Sequence, residues 1–146
     1  MTVETAGRVA LTRTIAASPE QVFRAWTDPE QMMKWACPDP GAELEIASEV
    51  RPGGAFRIRM NMPDGVHTAV GEYREVDRPN RVVYTWDWEE EGARMGVDTV
   101  ITVDFVAVEG GTEVRLVHEG FPAPEHRDGH SAGWGLCFDR FVALFG

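Results

Sequence analysis

The stretch from Asp128 to Phe145 constrains this chain more than any other, because its apolar residues admit one arrangement. Trp134, Cys137, Phe138, Phe141, Val142 and Phe145 fall at i, i+3, i+4, i+7, i+8 and i+11, the stripe along one face of an α-helix. Asp139 and Arg140 lie off that stripe, where a solvated face belongs. Asp128 is the expected N-cap, its carboxylate accepting from the free N–H groups of the first turn. About 18 residues at 1.5 Å each make a rod of roughly 27 Å, long enough to cross a sheet. A helix with three Phe and a Trp on one side cannot stand alone in water. The rest of the chain must supply the surface it lies on.

That surface is legible as strands. Residues 8–16 alternate Val9, Leu11, Arg13 and Ile15 against Ala10, Thr12 and Thr14, a strand pattern. Ser18-Pro19-Glu20-Gln21 then gives an N-cap, a Pro at the first helical position and a Gln that completes a capping box. Asp28-Pro29-Glu30-Gln31 repeats the start signal at once, so two short helices follow with a sharp joint at Asp28-Pro29. Cys37-Pro38-Asp39-Pro40-Gly41 ends them. From Ala42 to Glu119 six strands run as an antiparallel meander, with turns at Arg51–Gly54, Pro63–Gly65, Asp77–Asn80, Glu89–Met95 and Glu109–Gly111. Phe56, Ile58, Met60 and Met62 against Arg57, Arg59 and Asn61 is the cleanest alternation among them. Gly120–Arg127 reads as a linker. The order is β-αα-β6-α, an α+β layer arrangement, expected to be one domain over residues 1–146.

A twisted seven-stranded sheet curling around a straight helix rarely closes on it completely, so a cavity between the two is expected. Its lining is read from the apolar strand faces (Met60, Met62, Trp86, Trp88 and Phe105, with Ile101, Val103 and Leu116), from Trp26 and Trp35 in the short helices, and from Trp134 and Phe138. The same large side chains would also serve as plain core. His118 shares a strand face with Val114 and Leu116, where a neutral imidazole could orient a ligand or act as a general base, or sit in the core on one hydrogen bond. Tyr73 and His67 lie on one face with Gly71 and Ala69 between them, leaving open space beside them for polar contacts. Arg13 shares a face with Val9, Leu11 and Ile15, so a carboxylate partner such as Glu72 or Glu119 is expected.

Other chemistry is argued against. His126 and His130 stand at i, i+4 like a zinc pair, but no Glu of the HExxH type lies between them and Gly129 weakens a helix there; no metal is expected. No nucleotide or cofactor fingerprint occurs, so no cofactor is expected. A formal net charge of −10 repels phosphate backbones and anionic membranes, and no run reaches the ~18 apolar residues of a membrane span. Nucleic acid and membrane partners are therefore excluded. Cys37 and Cys137 stand far apart without CxxC spacing and read as reduced thiols. With no signal-peptide pattern at MTVETAGR, a cytoplasmic location is expected, as a monomer or a homodimer.

Several segments together resemble a known family. They are residues 12–30 (Thr12 to Glu30), Gly53-Gly54-Ala55-Phe56, Gly71 to Val76, Arg81 to Trp86, His118-Glu119-Gly120-Phe121-Pro122, and Gly133-Trp134. This set is similar to the single-domain homologues of the activator of the heat-shock protein 90 ATPase. The resemblance implies the helix-grip fold of the START and birch-pollen-allergen-like superfamily. In one place the chain departs: Trp35-Ala36-Cys37-Pro38 replaces the family's second aromatic and Gly-Pro, which implies a wider cavity mouth. Three functions come with this reading. One is binding of a small hydrophobic or aromatic ligand between sheet and helix. The second is a chaperone partner, with the chain stimulating the heat-shock protein 90 ATPase. The third is a polyketide-cyclase-like reaction using His118.

Overall fold

The computed structural model describes residues 7–145. In chain order the elements are β1 (Val9–Ile15), α1 (Pro19–Thr27), α2 (Pro29–Met32), β2 (Glu43–Ser48), β3 (Ala55–Met62), β4 (Gly65–Asp77), β5 (Arg81–Trp88), β6 (Thr99–Val108), β7 (Gly111–Glu119) and α3 (Pro124–Ala143). The seven strands form one antiparallel sheet in the order β1-β7-β6-β5-β4-β3-β2. β1 closes the β7 edge, with Val9 opposite His118 and Ile15 opposite Thr112. Strand alternation decides which residues face the helices. Phe56, Ile58 and Met60 of β3, Ile101, Val103 and Phe105 of β6, and Val114, Leu116 and His118 of β7 are all buried.

The short helices start where local chemistry dictates. The Ser18 side chain accepts from Gln21 N while the Gln21 side chain accepts from Ser18 N, the full capping box. Asp28 closes α1 with extended backbone and opens α2, its carboxylate accepting from Glu30 N at 3.0 Å. One residue thus makes both the stop and the restart. Trp26 and Trp35 are carried inward by this pair of turns, and both are buried.

Three expectations need correction. The long helix begins at Pro124, with Ala123 as a cap that offers no side-chain bond; Asp128 lies within the helix beside Arg127 at 3.0 Å. A Pro at the first helical position, whose missing N–H is no loss there, starts the helix without a polar cap. Arg140 is not simply solvated: it donates to the Lys34 carbonyl at 2.9 Å and to the Cys37 carbonyl, tying α3 to the segment after α2. Among the described residues Arg13 has no carboxylate partner; its guanidinium lies 5.8 Å from the Phe138 ring centroid and donates to the Thr12 carbonyl. Half-buried against an aromatic face, it keeps its charge near water.

The space expected beside Gly71 is also filled. A Cβ there would fall 2.0 Å from the Thr85 carbonyl oxygen and 2.5 Å from the Phe56 ring. Gly71 is small because β5 and Phe56 crowd it, and its backbone φ is unremarkable.

Candidate functional site

The sheet and α3 part company toward the β3–β5 side, leaving a cavity of about 440 Å³. β3 contributes Phe56, Ile58, Met60 and Met62; β4 contributes His67 and Tyr73; β5 contributes Tyr84, Trp86 and Trp88. Trp26 and Trp35 close it from the short helices, and α3 presents His126, Gly129, His130, Gly133, Trp134 and Cys137. The glycines matter because a methyl at Gly129 or Gly133 would meet nothing within 4 Å. Their missing side chains keep that wall open.

Five indoles dominate the site, and they touch in one chain. Trp35 lies 4.4 Å from Trp26, Trp26 6.0 Å from Trp134, Trp134 5.8 Å from Trp86, and Trp86 5.4 Å from Trp88, centroid to centroid. Every indole N–H is engaged inside the protein. Trp26 donates to the Tyr84 hydroxyl at 3.2 Å and Trp35 to the Ala25 carbonyl at 2.8 Å. Trp86 and Trp88 both donate to His130 Nε2, at 3.3 and 3.0 Å. Trp134 donates to His118 Nδ1 at 3.0 Å.

These bonds assign the histidine tautomers. His130 Nδ1 lies 2.7 Å from the His126 carbonyl, which only accepts, so Nδ1 carries the proton and Nε2 offers its lone pair to the two indoles. His118 takes the opposite form. Its Nδ1 accepts from Trp134, so Nε2–H donates to Thr99 Oγ1 at 2.8 Å, and Thr99 donates onward to the Trp86 carbonyl. Burial, with some repulsion from His130, pushes His118 down to about 2. Burial also lowers His130, against the pull of the His126 carbonyl. Both rings are neutral. Burial raises the Tyr84 and Tyr73 phenols and pushes the Cys137 thiol up to about 12, so none of them supplies charge to the cavity near neutral pH.

Of the residues singled out from sequence, Trp26, Trp35, Met60, Met62, Tyr73, Trp86, Trp88 and Trp134 border the cavity. Three do not. Phe105 packs edge-on against Phe23 and Trp26, Phe138 is fully buried against Trp26 and Phe141, and His118 lies behind Trp134 with both nitrogens occupied. Strand parity places Phe105 and His118 on the inner side, and the apolar helix stripe does the same for Phe138, but α1 and α3 cover that half of the sheet. With no free lone pair, His118 has no means to take a proton in this arrangement.

His67 borders the cavity edge, held by Asp64 at 2.9 Å and edge-on to Trp88. Tyr73 shares a 2.7 Å hydrogen bond with Ser48. Sequence reasoning missed Tyr84, Phe56, Met32 and His130 as wall residues. For His130 a signal exists: it stands four residues before Trp134, so the apolar stripe extends one turn further back. Among the described residues no cluster of three metal-ligating side chains occurs, and both cysteines are free and buried.

A curved antiparallel sheet, two short helices and a long helix across an aromatic cavity define the helix-grip class. The family model described as Activator of Hsp90 ATPase homolog 1-like protein matches residues 16–146, and the chain belongs to that family. Among curated relatives, the activator of 90 kDa heat shock protein ATPase homolog 1 of Mus musculus is 27% identical over 142 residues, 95% of this chain and 37% of the relative. The Homo sapiens counterpart is 25% identical over the same span and share. The chain therefore spans little more than a third of the curated relatives it matches. Protein CV1439 from Chromobacterium violaceum superposes with a TM-score of 0.83 at 26% identity, covering 95% of this chain and 96% of that one. The AHSA1 protein SPO3351 from Silicibacter pomeroyi gives 0.82 at 22% identity, covering 94% and 96%; at that identity the likeness is one of fold.

Proposed function

We propose that this protein binds a small apolar or aromatic molecule in the cavity between β3–β5 and α3. The observation that carries the reading is that the cavity walls are mainly ring faces and thioethers, with all five indole N–H groups already committed to protein acceptors. Water in such a space finds few partners, while a flat apolar molecule replaces it against close-fitting carbon surface. The volume of about 440 Å³ lies in the range of small-molecule sites. Native mass spectrometry of freshly purified protein, repeated after denaturation, tests it. A retained mass that is released on unfolding supports the reading. A bare protein mass, with no gain from a panel of aromatic and aliphatic compounds, would sink it.

A second reading, interaction with a heat-shock protein 90 chaperone, draws on the family match and on the curated relatives' names. It concerns proteins that extend well beyond the matched region. Stimulation of a purified chaperone's ATPase by this chain would favour it, and unchanged hydrolysis with no co-migration would rule it out.

A further inference from the structure

We propose that the cavity selects by charge, taking a protonated amine or quaternary ammonium on an apolar or aromatic body in preference to the isosteric carboxylate. The inference deepens the binding reading above and rests on it. Among the described residues, the side chains that could carry charge at the cavity are Asp64, His67, Glu125, His126 and His130; no Lys or Arg among them borders it. Asp64 is occupied by His67, and Glu125 makes no ion pair among the described residues. His130 is committed as an acceptor. An anion entering here finds no counter-ion.

Nor does it find donors. A carboxylate in an apolar site needs N–H or O–H groups to replace its water shell, and all five indole N–H groups point to protein acceptors. Tyr84 is the exception. Its hydroxyl accepts from Trp26, leaving its own proton without an acceptor among the described residues, and one phenol is a weak substitute for hydration. A cation meets the opposite situation. Ring faces carry the negative part of the aromatic quadrupole, and an ammonium against several of them is held by cation–π attraction. His126 Nδ1 is the one buried side-chain polar atom without a partner among the described residues. That nitrogen is closed off from the cavity, so an ammonium there meets the ring faces and the exposed Glu125 carboxylate.

Two features could argue for an anion instead. The N-terminal end of α3 bears partial positive charge, but Glu125 occupies its first turn and offsets it. Arg127 is nearby in sequence, but its guanidinium donates to the Arg8 carbonyl and to Asp128. The net charge of −10 adds a field that draws cations in.

Isothermal titration calorimetry near neutral pH with three isosteres tests the inference: indole-3-ethylamine, indole-3-ethanol and indole-3-acetate. The amine is expected to bind about tenfold tighter than the alcohol, and the carboxylate weakest of all. Glu125→Gln, at an exposed position, should lose much of the amine's advantage while leaving the alcohol unchanged. An amine no tighter than the alcohol, or a carboxylate that matches it, overturns selection by charge and leaves the binding reading standing. Binding of none of the three overturns selection by charge, and the binding reading falls with it only if the protein also shows a bare mass and no gain from the wider panel. Equal amine affinity in Glu125→Gln would overturn the placement of the charge at the start of α3.

Discussion

At the scale of single residues, His130 does the most with the least material. One lone pair receives two indole N–H groups from β5, and its other nitrogen is fixed by a helix carbonyl. Replacing it with Phe would keep a ring of similar reach but leave both indoles without an acceptor. An unsatisfied buried donor costs about 1–3 kcal/mol, so His130→Phe should lower unfolding free energy by roughly 2–4 kcal/mol, read from a urea titration. His118 governs a pH dependence. In the unfolded chain its imidazole protonates near the ordinary histidine value of about 6.5, and in the folded protein not until about 2. Below the unfolded value the unfolded chain binds a proton the native state refuses, so stability is complete above that pH and falls as pH is lowered through it. From about pH 7 to pH 5 the loss from this group alone is about 2 kcal/mol, and His130, also lowered, acts in the same direction. Denaturation across that window checks the slope, which should be shallower in His118→Gln.

Among the elements, α3 shows what a sequence discloses and what it withholds. Its apolar stripe, the alternation of β3 and the capping box at Ser18 are local signals, written in residues a few positions apart, and the structure contains all of them. The start of the helix was harder to see because Pro124 begins it without a polar cap and the expected cap, Asp128, lies a turn further in. The division between wall and core was also out of reach. Phe105 and His118 have the correct strand parity and Phe138 lies on the apolar stripe of α3, yet whether an inward residue meets space or another side chain depends on where α1 and α3 come to rest. The hydrogen bonds that occupy the indoles join residues 16 to 58 positions apart wherever the acceptor is another side chain, and no short-range pattern encodes them. Gly129 and Gly133 lead to a prediction at this scale. Glycine weakens a helix interior by about 0.5–1 kcal/mol relative to alanine, and a methyl meets no neighbour at either site. Gly129→Ala and Gly133→Ala should each raise the unfolding free energy by that amount while weakening capture of the cavity's ligand, since both positions line the wall where it would lie. Parallel denaturation and calorimetry separate the two effects.

Taken as a whole, the molecule carries a surplus of negative charge that its surface ion pairs do not absorb. Those pairs, such as Arg57–Glu89 and Arg78–Glu20, are half-exposed and each contributes little. Mutual repulsion among the remaining carboxylates therefore dominates, and screening it should raise thermal stability as sodium chloride is increased from about 0.01 M to 0.15 M; a melting temperature that drops with salt would show that the pairs outweigh the repulsion. The run of five touching indoles has a further consequence, in optics rather than energetics. Light absorbed at any one ring is not confined to it, because excitation hops between neighbours at such separations. The excited state samples the path from Trp35 to Trp88, and a quencher lodged against one ring dims the emission of all. The array is in effect one antenna wrapped around the cavity, and the protein's own ultraviolet emission reports whatever enters.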